Sequence, residues 1–130
     1  IKSGKITLNK SLEGALTFHD PCFLGRYNSI YDQPRSILQG ISKQGLTELD
    51  RHGSESFCCG AGGGRMWMEE TIGKRINVER SEEIVGKNVA NVAVACPFCL
   101  TMIEDGMKEL DKDEQIKAKD ICELVAENMA

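Results

Sequence analysis

Short apolar runs closed by turn-forming residues alternate along this chain with stretches in which apolar side chains recur every three or four positions. Residues 5–20 hold a glycine-containing turn and then Ala-Leu-Thr-Phe-His, a run that suits a buried strand and stops at Asp20-Pro21, where proline ends regular pairing. The segment QPRSILQGIS, with Pro34 in a first-turn position, predicts a short helix, and LTELD (residues 46–50) predicts a second strand. Met68, Ile72 and Ile76 then recur at four-residue steps among Glu, Lys and Arg, which predicts an amphipathic helix ending near Gly86. Asn-Val-Ala-Val-Ala (residues 91–95) has small and β-branched residues on both faces, as the middle strand of a covered parallel sheet does. Cys99, Ile103, Met107 and Leu110 form the next helical stripe. Asp120, with Glu123 three residues later, supplies a capping box ahead of Leu124, Val125 and Met129.

Strands and helices in alternation predict an α/β domain, its mainly parallel sheet flanked by helices. In such a sheet the loops that follow the strands gather at one edge, where ligands bind. The whole chain, residues 1–130, reads as one domain of ordinary size. It starts at Ile1 rather than Met, and IKSGK resembles the frayed end of a helix, so the expectation is a fragment of a longer chain with any targeting segment or anchor upstream.

Charge removes one class of partner. The net charge is -4 and the basic residues are scattered among acidic ones, so no basic stripe faces a nucleic-acid backbone. The longest apolar run, VANVAVA, is far shorter than the roughly 20 residues of a membrane span, so no direct span is expected in this chain.

The cysteines change the picture most. There are six: Cys22, Cys58, Cys59, Cys96, Cys99 and Cys122. A disulfide framework serves small secreted domains short of core, which this chain is not. A Cys58–Cys59 bridge is also disfavoured by geometry, since adjacent Cα atoms lie about 3.8 Å apart and disulfides span about 4.4–6.8 Å. Cys96-Pro97-Phe98-Cys99 follows a strand and opens a helix, as a dithiol redox motif does, and thiolates there gain from free N–H groups. That reading leaves Cys22, Cys58 and Cys59 without a role. A metal site employs all five. Zinc prefers four ligands in separated pairs, whereas iron–sulfur clusters use more thiolates at less regular spacing.

The glycine-rich GAGGGR that follows Cys59 fits close main-chain approach to sulfur, with N–H groups turned toward it from Gly60, Gly62, Gly63 and Gly64. The plainer reading is a tight turn before a helix. A phosphate-binding loop is the third, weakened by the missing Lys-Ser/Thr pair.

Cys22, 35 residues, Cys58-Cys59-Gly60, and then Cys96-Pro97-Phe98-Cys99, with 36 residues between Cys59 and Cys96, resembles the cysteine-rich CCG domain of heterodisulfide reductase B/D subunits and related iron–sulfur oxidoreductases. The resemblance covers residues 18–99. It implies that Cys22, Cys58, Cys59, Cys96 and Cys99 are the ligands of a [4Fe-4S] cluster, noncubane in some members, with zinc as the alternative metal. The flanking FHDPCFLGRYNSIYDQPRSIL, SFCCGAGGGRMWMEE and GKRINVER look like the membrane-associated type that passes electrons from electron-transfer flavoprotein to menaquinone.

The resemblance therefore implies further iron–sulfur domains and a membrane domain as partners, and a place at the inner, cytoplasmic face of the cell membrane through those domains. The chain would then be a module of an oxidoreductase and not a complete enzyme. Heterodisulfide cleavage, or a non-redox zinc or structural module, are the rival activities. Outside the motif, Cys122 is expected to be a small buried hydrophobe beside Ile121. His19 and Asp20 are expected in structural hydrogen bonds or in tuning the cluster, and His52 in a solvated loop. Arg65 is expected to offset cluster charge or face water, and Met66, Trp67 and Met68 to shield the cluster or pack in the core.

Overall fold

The computed structural model describes residues 1–129. Three short parallel strands, β1 (Leu16–Phe18), β2 (Asn91–Val94) and β3 (Lys117–Asp120), form one sheet in the order β1-β2-β3. Leu16 is paired with Asn91 and Phe18 with Ala93; Asn91 is paired with Lys117 and Val94 with Asp120. Four helices cover it: α1 (Asp32–Ile41), α2 (Ile76–Val85), α3 (Pro97–Glu109) and α4 (Ile121–Met129). The α/β class and the parallel sheet are as the sequence predicts.

Period-two alternation in β2 divides the core. Val92 and Val94 pack with Ile84 of α2 and Met102, Ile103 and Met107 of α3. Ala93 points to the other face, into a cluster of Leu16, Phe18, Leu38, Ile41 and Leu124. Helices α2 and α3 thus cover one face of the sheet, and α1 and α4 the other. Helix α1 buries Pro34, Leu38 and Ile41 on one stripe. At the head of α4 the capping box forms as expected: Cys122 N–H donates to Asp120 Oδ1 at 2.8 Å, and Asp120 N–H to Glu123 Oε2 at 2.9 Å.

Three expectations are corrected. Residues 46–50 contribute only an isolated bridge, Leu46 to Leu16, beside β1. Residues 1–5 form turns, not the end of a helix. Helix α2 begins at Ile76 and not near Met68, because Gly73 turns to φ +71° and Glu70 Oε2 takes the Ile76 N–H at 2.9 Å, closing the helix from outside. Met68 and Ile72 are consequently exposed. Strand β3 has no counterpart among the expected elements, because Lys-Ala-Lys-Asp carries no apolar run; its lysines suit an edge strand.

Helices α2 and α3 approach closely at Gly106. A Cβ there would collide with Ser81 Oγ and stand 2.8 Å from the Asn77 carbonyl oxygen. Gly106→Ala is expected to lower stability by about 1–3 kcal/mol, read as a lower urea midpoint at unchanged slope.

Candidate metal centre

Three chain segments meet beyond the carboxyl ends of the strands. The first leaves β1 as His19, Asp20, Pro21 and Cys22. Asp20, buried, accepts from Arg35 Nη1 at 2.8 Å and Nη2 at 2.7 Å, and from the Gly53 N–H at 2.8 Å. Burial opposes ionisation of Asp20, but these donors outweigh it and hold the carboxyl below its usual range. Ser56 Oγ donates to the Asp20 carbonyl at 3.2 Å, and Arg26 Nη2 to the Ser56 carbonyl at 3.2 Å. These bonds stitch the Cys22 segment to the loop that delivers Cys58.

That loop is fixed from its other side by Glu83 of α2. Its carboxylate takes Arg51 N–H at 2.8 Å, Arg51 Nε at 3.0 Å and Arg80 Nη1 at 2.8 Å. The Arg51 guanidinium lies over the Phe57 ring, 3.8 Å from its centroid. Past Cys58 and Cys59 the chain turns at Gly60, φ +93°, where a Cβ would meet Ile76 Cβ at 3.2 Å and the Asn77 nitrogen at 3.3 Å. Its N–H donates to Cys58 Sγ at 3.2 Å. Close packing is realised at Gly60, whereas a Cβ at Gly62, Gly63 or Gly64 would meet open space; the Gly62 N–H also draws the Cys58 thiol down, and the turn kinks beyond it at Gly63 (φ +65°) and Gly64 (φ +75°).

The third segment is the head of α3. Cys96 is its N-cap, Pro97 its first residue, and Cys99 lies in the first turn, buried.

A ring nitrogen of His19 and the Sγ atoms of Cys59 and Cys99 lie within 4.8 Å of one another, all three residues buried. Cys22, Cys58, Cys59 and Cys99 line a single cavity with His19 and Asp20; Cys22 is exposed and Cys58 half-buried, so the thiols descend from surface to core. Cys96 is half-buried, packs against the α2/α3 apolar cluster, and is not among the residues lining that cavity. Hydrogen bonding to Cys59, then burial, pushes the Cys58 thiol up, against the pull of the Gly60 N–H. Cys59 gains from its bond to Cys58, but the Cys99 thiol and burial outweigh that and push it up to about 11. These thiols stay protonated at neutral pH, so a metal that binds them must displace protons.

Cys122 is a correction: it is exposed near the start of α4, because the helix turns Leu124 and Asn128 inward instead. Arg65 faces solvent, 3.7 Å from Glu70. Met66 packs on the core, whereas Trp67 and Met68 are exposed. His52 is exposed, as expected. Phe23 and Phe98, which adjoin the motif cysteines in sequence, are exposed as well.

The sequence reading missed Arg80 and Glu83. Arg80 is fully buried; its Nε donates to His19 Nδ1 at 3.0 Å and its Nη1 to the Arg51 carbonyl at 2.9 Å. Burial, and then the Arg80 cation, hold His19 at about 3, so its imidazole is neutral. A signal existed: Arg80 stands midway between Ile76 and Ile84 on a four-residue repeat, the register of the buried face.

Comparison with known proteins places these features in context. The family model described as "Cysteine-rich domain" (CCG) matches residues 16–104. "Probable iron-sulfur-binding oxidoreductase FadF" of Bacillus subtilis is 46% identical over 129 residues, 99% of this chain and 18% of the relative. "EtfAB:quinone oxidoreductase" of Syntrophomonas wolfei is 42% identical over 132 residues, 96% of this chain and 18% of the relative. A relative from Methanosarcina barkeri, one of the subunits of "Dihydromethanophenazine:CoB--CoM heterodisulfide reductase", is 35% identical over 127 residues, covering 98% of this chain and 31% of that protein. The chain thus spans less than a third of each of these curated relatives. No solved structure matches. With the family model covering most of its length and the motif cysteines lying inside the matched region, the chain belongs to the CCG cysteine-rich domain family.

Proposed function

We propose that this chain is an iron–sulfur electron-transfer domain in which Cys22, Cys58, Cys59, Cys96 and Cys99 hold a [4Fe-4S] cluster. The observation that carries the reading is the convergence of Cys59, Cys99 and His19 within 4.8 Å, with Cys22 and Cys58 lining the same cavity. The donor set fits: thiolates are soft ligands suited to iron–sulfur clusters, and Gly60 already turns an N–H onto ligand sulfur. When bound, such a cluster supplies one-electron redox chemistry. The chain's own part is to bind, orient and shield. Helix α3 presents Cys96 and Cys99 one turn apart, the Asp20–Arg35 pair fixes the strand end that carries Cys22, and Glu83 fixes the Cys58 loop. Arg80 places a buried positive charge behind His19, which favours the more negative, reduced state of a centre there.

The larger protein is read as a membrane-associated oxidoreductase that passes electrons from a reduced flavoprotein toward quinone. In it this module works with other iron–sulfur domains and a membrane domain, at the inner face of the cell membrane. The names of the relatives support this, and identity is higher to the quinone oxidoreductase than to the heterodisulfide reductase relative. Among the described residues no helix is long and apolar enough to cross a membrane, so the anchor is assigned to another part of the protein.

Purified without oxygen, the protein is expected to carry iron and acid-labile sulfide in equal amounts and to show an EPR signal that changes on reduction. Stoichiometric zinc at these thiols, without iron, would overturn the electron-transfer reading.

A further inference from the structure

Arginine has donors and no acceptor, so the 3.0 Å contact from Arg80 Nε makes His19 Nδ1 an acceptor. The single proton of the neutral ring is then on Nε2. Arg80 cannot turn away: it is fully buried, and its Nη1 is bound to Glu83 and to the Arg51 carbonyl. Its Nη2 is buried with no partner among the described residues, so the guanidinium carries more donors than the surrounding protein satisfies.

We infer that His19 is a sulfur-facing N–H donor to the Cys59/Cys99 side of the centre, locked in its Nε2–H tautomer by Arg80, and is not a sixth ligand. A histidine that binds metal through Nε2 keeps its remaining proton on Nδ1 and gives it to a carboxylate, a carbonyl or water. Here that position faces a guanidinium N–H, so ligation would set two donors against each other. Donation from Nε2 suits the ring on both sides: Nδ1 receives from Arg80, and with the Cys59 and Cys99 Sγ atoms within 4.8 Å of a ring nitrogen, sulfur is the acceptor offered to the remaining N–H. The effect on the centre rests on the reading that these thiols hold an iron–sulfur cluster. Donors to sulfur stabilise the added electron, which makes His19 a tuning residue and Arg80 a positioning residue acting through it.

The test is a redox titration of the anaerobically purified protein, followed by EPR. His19→Leu is expected to keep its iron and sulfide but lower the reduced-to-oxidised ratio at fixed potential about tenfold, equivalent to about 59 mV for a one-electron couple. His19→Gln, which retains an amide donor near the Nε2 position, should recover most of the loss. Arg80→Met should move the potential in the same direction as His19→Leu. Loss of iron in a folded His19→Leu protein, or an unchanged potential, overturns the inference.

If His19→Leu does not fold, the wild-type tautomer decides. The chain has two histidines, so in histidine-labelled, metal-free protein a long-range proton–nitrogen spectrum distinguishes His19 from His52 by the latter's loss in a His52→Gln variant. An Nε2–H tautomer at His19 supports the inference, and an Nδ1–H tautomer refutes it. Absence of iron from the wild type, by contrast, defeats the proposed function and leaves the tautomer result to judge His19 as a donor to thiol sulfur.

Discussion

Replacing Cys59 or Cys99 by serine is expected to strip the centre of its iron, while Cys122→Ser leaves iron and sulfide unchanged. Cys59 and Cys99 are the two buried thiols, and they sit with His19 at the base of the cavity. Partners one step removed from a metal ligand already cost about 10–100-fold in affinity when changed, so losing a buried ligand costs more. Serine oxygen is a harder donor than sulfur and titrates far higher, and the buried position gives water poor access to take its place. Cys22 is the informative contrast, because a thiol at the exposed rim can be replaced by solvent more readily. Cys22→Ser is therefore expected to weaken iron retention less than Cys59→Ser. Iron and sulfide counts on the anaerobically purified variants decide the matter: full iron in Cys59→Ser, or loss of iron in Cys122→Ser, contradicts the assignment.

The second large effect is acid sensitivity of the metal-free fold. His19 titrates near 6.5 when unfolded and at about 3 when folded, so across that interval the unfolded chain binds the extra proton and stability falls as the pH is lowered. Asp20 and Glu83 act in the same direction. Both have folded values below their ordinary ones despite burial: Arg35 and the Gly53 N–H hold Asp20 down, and the Arg51 N–H and Arg80 hold Glu83 down. The stability they lend is present above their unfolded values and is lost as pH falls through the folded ones. For a fully buried imidazole the loss is on the order of a few kcal/mol by pH 3. Urea midpoints measured from pH 7 to 3 should fall steadily, beginning near pH 6.5, and His19→Gln should flatten the upper part of that fall. A wild-type midpoint constant between pH 6.5 and 4 would show that His19 is not buried as described.

The strands that build the site could be read directly, because Leu-Thr-Phe and Asn-Val-Ala-Val are buried on both faces and their composition shows it. Helix α3 was equally legible from the stripe running through Cys99, Ile103 and Met107. Strand β3 was not, since an edge strand buries little and lysine serves it well. The false start of α2 has a similar origin: Met68, Ile72 and Ile76 keep a helical period, but Gly73 breaks the backbone between them, and periodicity alone does not weigh a single left-handed residue. The five motif cysteines announced themselves by spacing. Their unequal depth did not, because it depends on how far each loop reaches back toward the sheet. The buried group behind them was hidden for another reason. His19 stands 61 residues from Arg80 in sequence, and the α2 face that buries Arg80 also buries Asn77 and Ser81, so it shows no clean apolar stripe.

The parallel pairing of Leu16 with Asn91 carries a consequence for the order of events in folding. Joining β1 to β2 closes a long loop before any strand contact compensates the lost chain entropy, which makes such pairings slow. Cys22, Cys58 and Cys59 all lie within that loop, and Cys96 follows just after β2. During synthesis from the N-terminus the first three thiols therefore exist for a time unassembled, with the α3 pair still to come. On the proposed ligand set, the donors are complete only after β2 has docked and α3 has begun, which would put metal delivery at the end of folding.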